Sequence, residues 1–428
     1  MAEAATNTDE HLGAHVAADS RDVLNTDVGV FPLDWELKEL GEIGQPLAGL
    51  TYSPANVSSD GTLVLRSSNV QNGQLAFENN VFVRMAIPDR AIVRKGDILI
   101  CVRNGSRELI GKCALIDERA AGMAFGAFMG VFRSDLNDFI FYAFQSDYVQ
   151  RQVREHLGAT INQITSKSLK AFKIALPTDP DEISAIAEAL NDADAQVVTL
   201  KKLIEKKRHI KQGAMQDLLS GRTRLPKFRG EWRIEQLGDL LSCRPEYGIN
   251  APAVPYDLRH PAYIRITDIT DDGRFDPSSR ASVVHPNADC YRLEAGDIVL
   301  ARTGASTGKS YFYREQDGDL VFAGFLIRVR PDQNQLSPQY LRYQLQTETY
   351  WRWVRTNSMR SGQPGINGQQ YASMPIAIPP TRAEQNAIAE ALADMDAQLE
   401  ALEARLEKAR QVKQGMMQEL LTGRVRLV

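Results

Sequence analysis

The sequence predicts an α+β fold that is built twice, with two sheet-containing domains that are each followed by a long helix. Residues 176–226 and 378–428 align without a gap at an offset of 202, and 27 of the 51 positions are identical. Apolar residues in both copies recur at alternating steps of three and four, which is typical of coiled-coil helices. The segments before the copies place short strands ahead of one late helix, an order that favours α+β over a doubly wound sheet.

The two long helices are predicted to pair with each other as an antiparallel coiled coil. Each begins just after Pro177 or Pro379-Pro380 and ends at a glycine, Gly221 or Gly423. Two independent core helices in two ordinary domains remain the alternative. The predicted seams are Ile183, Ile186, Leu190, Ala193, Val197, Leu200, Ile204, Ala214 and Leu218 in the first copy, and Ile388, Leu392, Met395, Leu399, Leu402, Leu406, Met416 and Leu420 in the second.

The repeat divides the chain into five segments. They are a leader (1–30), a first variable domain (31–175), a first helical segment (176–227), a second variable domain (228–377) and a second helical segment (378–428). The leader is polar, acidic and rich in alanine, so we expect it to be disordered or loosely docked. Strands are predicted at 62–65, 81–83, 97–102, 112–116, 129–132, 262–266, 297–301, 310–314 and 325–329, and the late helices at 139–156 and 338–355.

Composition limits the kinds of protein this chain can be. A net charge of −4 and a pI near 6.0 mean that any basic surface for nucleic acid must be local. No apolar run is long enough for a membrane span and no signal peptide is present, so we expect no membrane association. The cysteines Cys101, Cys113, Cys243 and Cys290 lie singly, without metal-ligand spacing, and are predicted to be buried free thiols in a reducing cytoplasm.

Three sets of motifs occur in both halves of the chain. The helix tails read KQGAMQDLLSGR at 211–222 and KQGMMQELLTGR at 413–424. A Trp-x-x-x-x-Leu-Gly entry begins at Trp35 and at Trp232, and Gly-Asp-Ile recurs at 96–98 and 296–298, the second time followed by Arg302-Thr303-Gly304. In this order, from about residue 31 to the C-terminus, the chain resembles the specificity subunit of a type I restriction-modification system.

The resemblance implies two target-recognition domains, 31–175 and 228–377, that read the two halves of a split, asymmetric site in double-stranded DNA. It also implies that the helices set the spacer and dock methyltransferase subunits, and that other subunits methylate and cleave the DNA. Because the helix tails are alike, we expect two methyltransferase subunits per chain, with motor-nuclease subunits joining through the complex. No cofactor is expected on this chain; S-adenosylmethionine, ATP and Mg²⁺ are expected on the partner subunits.

A glycine-rich stretch at 304–310 is similar to a phosphate-binding loop. A P-loop needs four residues between its glycines and this stretch has three, which argues against nucleotide hydrolysis. The corresponding stretch of the first domain, 103–112, is longer by two residues. A hairpin carrying Arg, Ser, Thr and Lys can still follow a DNA backbone or enter a groove, although a plain β-turn with solvated ends stays open.

Candidate DNA-contacting residues occupy corresponding positions in the two domains but differ in chemistry. Arg pairs with guanine and Asn with adenine, whereas Asp accepts from cytosine, so Asn69 and Asp268 would serve different half-sites. A structural ion pair remains an alternative role for any of the arginines. The full set of candidates is Arg66, Asn69, Arg103, Asn104, Ser106, Lys112, Arg265, Thr267, Asp268, Arg302, Thr303, Ser306, Thr307, Lys309, Arg360, Gln363 and Asn367.

Motifs for catalysis are missing from the sequence. It has no Asn- or Asp-Pro-Pro-aromatic tetrad for amino-group methylation and no His-Glu-x-x-His, so we expect the chain to read DNA without an activity of its own. A coiled-coil scaffold whose variable domains bind proteins is the alternative function. Apolar residues near the helix ends are candidates for partner docking or core filling: Met215, Leu218, Leu219, Met416, Met417, Leu420 and Leu421.

Overall fold

The computed structural model describes residues 23–159, 162–359 and 363–427 of the chain, which falls into two structural units. Unit 1 comprises the described residues up to Leu200 together with those from Arg405 onward, and unit 2 comprises Lys201–Ala404. Each predicted variable domain lies in one unit. Each long helix contributes its first part to one unit and its last part to the other.

Unit 1 contains two four-stranded sheets. The strands of the unit are β1 (Val23–Asn25), β2 (Val30–Pro32), β3 (Trp35–Glu39), β4 (Gln45–Ala48), β5 (Val57–Ser58), β6 (Thr62–Leu65), β7 (Val70–Gln71), β8 (Gln74–Leu75), β9 (Phe82–Val83), β10 (Ile98–Cys101), β11 (Cys113–Leu115), β12 (Ala124–Phe125), β13 (Met129–Arg133) and β14 (Lys173–Pro177). The first sheet has the order β11-β10-β13-β4 with antiparallel neighbours, and the second has the order β12-β6-β9-β5, in which β12 and β6 are parallel. The helices are α1 (Leu40–Ile43), α2 (Asn137–Gln145), α3 (Asp147–Ala159), α4 (Ser166–Ala171) and the first part of α5 (Pro180–Leu218).

Unit 2 repeats the two four-stranded sheets of unit 1. Its strands are β15 (Arg233–Gln236), β16 (Glu246–Tyr247), β17 (Val254–Pro255), β18 (Ala262–Ile264), β19 (Ala281–Ser282), β20 (Ile298–Ala301), β21 (Ser310–Phe312), β22 (Leu320–Phe322), β23 (Leu326–Val329) and β24 (Pro375–Ile378). The sheets have the orders β21-β20-β23-β16 and β22-β18-β19-β17, and β22 and β18 are again the parallel pair. The helices are α6 (Pro338–Gln344), α7 (Glu348–Ser358), α8 (Gly368–Ala372) and the first part of α9 (Arg382–Leu420).

The predicted strands are confirmed, with ends within two residues of those expected. Strand β10 shows why the apolar stretches were reliable signals. Ile98 and Ile100 enter one core, which includes helices α2 and α3, and Leu99 and Cys101 enter another between the sheets. All four residues are fully buried, as expected of a short, continuous apolar run. The strands missed by the sequence are mostly two to four residues long, too short to show a period.

The long helices α5 and α9 are confirmed, and each has 39 residues. Every predicted seam residue is buried or half-buried. In unit 1, Lys413 of α9 contacts Asp194 of α5 with an Nζ–Oδ1 distance of 2.6 Å. Arg426, beyond the end of α9, contacts Glu182 near the start of α5. Because the later position on one helix meets the earlier position on the other, the two segments in unit 1 run antiparallel.

The same contacts recur in unit 2 at an offset of 202. Lys211 of α5 pairs with Asp396 of α9, and Arg224, beyond the end of α5, pairs with Glu384 near the start of α9. The helix segments in this unit are therefore also antiparallel.

The expectation of a disordered or loosely docked leader is wrong for residues 23–30. Strands β1 and β2 form an antiparallel hairpin, and Val28 and Phe31 enter the core of unit 1. The Phe31 ring lies edge-on to Tyr148 with their centroids 5.2 Å apart. A few apolar residues in a polar stretch give no periodic signal, so only the tertiary contacts reveal this hairpin. Residues 1–22 lie outside the described residues.

Each late helix was predicted as one element, but the structure has two. The break in unit 1 falls at Ser146, whose hydroxyl donates to the Ala143 carbonyl, and the break in unit 2 falls just before Thr347. The Thr347 hydroxyl accepts a hydrogen bond from the Tyr350 N–H and so caps α7. The apolar pattern runs through both breaks, which is why the sequence did not show them.

The cysteine prediction holds for two of the four residues. Cys101 and Cys113 are buried, and burial raises the pKa of the Cys113 thiol to about 12. Cys243 and Cys290 are exposed, which corrects the prediction for them. No helix in the described part of the chain is long and apolar enough to cross a membrane. Within the described residues, no cluster of His, Cys, Asp and Glu side chains could hold a metal ion.

Candidate nucleic-acid interface

The glycine-rich stretches form a hairpin in each unit, directly after the central strand of its first sheet. The Arg103 hairpin (residues 102–112) follows β10, and the Arg302 hairpin (residues 302–309) follows β20. Each closes through a glycine in the left-handed region, Gly111 at φ +90° and Gly308 at φ +92°. The two hairpins therefore share a backbone plan despite the difference in length.

The Arg302 hairpin is not a phosphate-binding loop. Its glycine-rich residues form a short 3₁₀ turn, Gly304–Ser306, and lead into strand β21. A P-loop must lead into a helix, whose N-terminus faces the phosphates. The argument from glycine spacing against nucleotide hydrolysis agrees with this geometry.

Arg103 and Arg302 occupy the same place at the start of the two hairpins. Their backbone N–H groups donate to the carbonyls of Phe128 (3.1 Å) and Phe325 (3.0 Å), respectively. The Arg103 guanidinium lies over the Phe128 ring at 5.1 Å, and that of Arg302 lies over the Tyr247 ring at 4.8 Å. Within the described part of the chain, neither guanidinium pairs with a carboxylate, and Arg302 Nη1 makes a hydrogen bond of 3.3 Å to the Gly324 carbonyl. Both positive charges therefore remain available to a phosphate or to the acceptor edge of a base.

The predictions for Asn69 and Asp268 as base readers are wrong, because both side chains are fully buried. The Asn69 amide oxygen accepts from the Arg66 N–H at 2.9 Å, and its nitrogen donates to the Ala76 carbonyl at 2.8 Å. Asp268 accepts from the Arg265 N–H at 2.9 Å in the same position. Both side chains stabilise the turn that follows the strand. The sequence shows only a polar residue three positions after an arginine, and that pattern fits this structural role as well as base reading.

Arg265 has the structural role that the sequence left open as an alternative. Its guanidinium makes two hydrogen bonds of 2.8 Å to the Asp268 carboxylate and one to the Ser279 carbonyl. The bond to Asp268 raises the pKa of Arg265 above its usual value. Among the described residues, the Arg66 guanidinium makes one long contact, of 3.5 Å, with the Asn79 carbonyl. Of this pair, Arg66 is therefore less engaged by the protein.

The hairpin lysines bind other parts of their own unit. The Lys112 ammonium donates to the carbonyls of Ser67 (2.6 Å) and Val70 (2.9 Å). Lys309 pairs with Asp271 at 2.6 Å and lowers the pKa of that carboxyl. Neither lysine is free to neutralise a phosphate unless these contacts break.

The remaining candidates, which lie on the hairpins apart from Thr267, differ in how exposed their side chains are. Thr307 is buried and donates to the Gly304 carbonyl at 2.7 Å, so its prediction is wrong. Asn104 is half-buried; its amide nitrogen donates to the Ser67 hydroxyl and its oxygen accepts from the Ser106 N–H. The side chains left at the surface or partly so are Ser106, Thr267, Thr303 and Ser306.

A second loop lies against each hairpin. In unit 2, the Ile366 N–H donates to the Arg302 carbonyl at 2.8 Å, and the exposed Gln363 amide lies beside Gly304. Asn367 is exposed but caps helix α8 by accepting from the Gln370 N–H at 2.8 Å. Arg360 lies outside the described residues. The structure thus brings Gln363 next to the Arg302 hairpin, as an interface would require.

The sequence missed two aromatic residues beside these hairpins. Phe128 and Phe325 directly precede the matching strands β13 and β23, and each has 58% of its surface exposed. Single exposed apolar side chains are common on protein surfaces, but here the exposure recurs at equivalent places in two domains. An alignment of the two halves anchored on the Gly-Asp-Ile motifs was the signal that could have found them.

The predicted docking residues largely fill the cores. Five are buried, so a docking role is wrong for them; Met215 and Met416 are half-buried against the same cores. Exposed polar residues near the helix ends, such as Gln414, Gln418 and Arg424, instead line a cleft of about 770 Å³ with the β1–β2 hairpin. The buried five are Leu218, Leu219, Met417, Leu420 and Leu421.

Comparison with known proteins agrees with this architecture. The family described as "Type I restriction modification DNA specificity domain" matches the chain twice, over residues 32–212 and 232–411. The specificity subunit of the type I restriction enzyme StySPI from Salmonella potsdam is 25% identical over 411 residues, covering 89% of this chain and 86% of its own. That of EcoKI from Escherichia coli K12 is 24% identical over 414 residues, with the same coverage of both chains.

Two solved structures share the fold. The S subunit of the type I restriction-modification system from M. genitalium superposes with a TM-score of 0.56 at 15% identity, over 93% of this chain and 97% of that one. A chain from a study of complex assembly and conformational transition in the type I R-M system gives a TM-score of 0.55 at 18% identity, over 92% of this chain and 99% of that one. At these identities the likeness concerns the fold alone.

Proposed function

Because the chain belongs to the family of type I restriction-modification DNA specificity subunits, we propose that each unit reads one half of a split, asymmetric site in double-stranded DNA. The observation that carries this proposal is the matched pair of hairpins with available guanidinium groups, Arg103 and Arg302. The surroundings of the two arginines differ, since Phe128 lies under one and Tyr247 under the other. Equivalent positions with unlike neighbours suit two different half-sites. No observation favours the protein-binding scaffold.

The long helices and their partners complete the proposal. The uninterrupted length of α5 and α9 sets the number of base pairs between the half-sites. Methylation and cleavage belong to methyltransferase and motor-nuclease subunits in the same cytoplasmic complex, and this chain has no activity of its own. S-adenosylmethionine, ATP and Mg²⁺ bind those partner subunits. The names of the relatives, which are subunits of type I restriction enzymes, support this division of labour.

The test of DNA reading is a selection from random duplexes with the chain assembled with its methyltransferase subunits. We expect enrichment of one bipartite sequence with a fixed gap. Arg302→Ala should relax one half-site or weaken binding by ~1–3 kcal/mol, and Arg103→Ala should affect the other half. Arg259→Ala is a matched control, because Arg259 is an exposed arginine of unit 2 that pairs with Asp257. Enrichment of no sequence by the unaltered complex contradicts the proposal.

The second prediction concerns the number of methyltransferase subunits. Exposed glutamines recur near the ends of both long helices, Gln212 and Gln216 in α5 and Gln414 and Gln418 in α9, at the common offset of 202. Like surfaces bind like partners, so we expect two methyltransferase subunits per chain. Native mass spectrometry with excess partner measures the ratio directly. A stable one-to-one complex at saturation is the contrary result.

A further inference from the structure

Phe128 and Phe325 are exposed on the two proposed DNA-reading surfaces, and the proposed function gives them no role. Each ring is 58% exposed beside its hairpin, and among the phenylalanine and tryptophan side chains of the described residues only these two are exposed. Strand pairing establishes their equivalence, since the next residues, Met129 and Leu326, pair with Cys101 and Ala301, the last residues of β10 and β20.

The backbone under each ring is held from two sides. The Phe128 carbonyl accepts from the N–H groups of Val102 and Arg103, and the Phe325 carbonyl accepts from that of Arg302. On the other side, Gly49 and Gly248 lie so close to the preceding turns that an added Cβ would be 2.2 Å from the Gly126 oxygen or 2.3 Å from the Phe322 oxygen. A rigid turn keeps the ring at the surface without the conformational cost of ordering a flexible loop.

An arginine lies close to each of these residues. The Arg103 guanidinium lies over the Phe128 ring. The Arg302 guanidinium lies over the Tyr247 ring, and its Nη1 donates at 3.3 Å to the carbonyl of Gly324, the residue before Phe325. An exposed ring next to an available cation suits DNA, because the cation neutralises a phosphate while the ring replaces a stacking neighbour of a base.

We propose that Phe128 and Phe325 stack on bases, one in each half-site, by entering a base step that the bound DNA opens. The inference rests on the proposed function, because it assigns a role within the same DNA-reading surfaces. Such insertion is favoured at flexible pyrimidine–purine steps. The two rings thus give sequence preference at a step where no hydrogen bond reads a base.

The experiment uses the full chain assembled with its methyltransferase subunits and duplexes of the selected bipartite site. The fluorescent base 2-aminopurine is placed in turn at each position of both half-sites, leaving out the adenines that the complex methylates. We expect the unaltered complex to change the fluorescence at one step in each half-site. Phe128→Ala should abolish the change in one half-site only, and Phe325→Ala in the other only, so each variant is a control for the other.

Affinity gives a second readout. Each alanine variant should bind about 5- to 150-fold more weakly, the range expected for losing one stacked base. Phe128→Trp and Phe325→Trp should each retain affinity and the fluorescence change, whereas Phe128→Leu and Phe325→Leu, which keep an apolar side chain but remove the ring, should lose most of both. Leu258→Ala, which removes a side chain that is 89% exposed in unit 2, should leave both unchanged.

The outcomes separate this inference from the proposed function. If the alanine variants bind as the unaltered complex does, with the same fluorescence pattern, the rings do not stack and DNA reading still stands. If affinity falls but the unaltered complex perturbs no base outside the methylated adenines, the rings touch base edges without stacking, and the inference is overturned. If the unaltered complex selects no sequence, the proposed function itself has failed.

Discussion

Glu384→Gln is expected to destabilise unit 2 by ~3–5 kcal/mol, the usual cost of leaving one member of a buried ion pair without its partner. The Glu384 carboxylate is fully buried, and its second oxygen accepts from Arg224 Nη2 at 2.7 Å. Arg224 lies beyond the end of α5, so this pair ties the tail of one long helix to the start of the other. Urea unfolding of the full chain, followed by tryptophan fluorescence, measures the loss.

Three comparisons make this prediction specific. Glu182→Gln should cost unit 1 a similar amount, because Glu182 is buried and its second oxygen accepts from Arg426 Nη2 at the same 2.7 Å. Asp217→Ala breaks an exposed pair with Arg222 and should cost at most ~1 kcal/mol. The double variant Glu384→Gln with Arg224→Met should recover part of the loss, since no unpaired charge remains. An unchanged urea midpoint in Glu384→Gln contradicts the buried-pair role.

Gly248→Ala is expected to destabilise unit 2 by ~3 kcal/mol, near the upper end for adding a methyl group to a packed site. The new Cβ would lie 2.3 Å from the Phe322 oxygen and 2.4 Å from the Ala323 oxygen. The Phe322 oxygen lies at the end of β22 and the Ala323 oxygen in the turn that carries Phe325, so relief requires this backbone to move. DNA affinity should therefore fall together with the denaturant midpoint.

The control is the same substitution at a glycine with open space around it. Gly213 lies inside helix α5, and apart from its chain neighbours and the helix's own backbone no described atom lies within 4 Å of an added Cβ there. Gly213→Ala should therefore stabilise the helix by ~0.5–1 kcal/mol through helix propensity alone. If the two alanine variants shift stability in the same direction, the close approach at Gly248 does not determine its effect.

The sequence alone determined the doubled plan, the α+β class and the two long helices. These conclusions rest on regular repetition, either at the offset of 202 or at the three-four spacing of apolar residues. A continuous apolar run such as Ile98–Cys101 likewise identifies a buried strand wherever the chain takes it. Repetition and periodicity are properties of the chain itself and need no knowledge of which segments meet in space.

Only the tertiary structure decided which polar and aromatic residues face outward. Asn69, Asp268 and Arg103 are equally polar in the sequence, but the first two are buried as turn-holding groups and the third keeps an available guanidinium. Phe128 and Phe325 are apolar residues that the sequence analysis did not single out, and the structure exposes both. Exposure depends on which strands and loops from distant parts of the chain pack together, and the local sequence does not determine that packing.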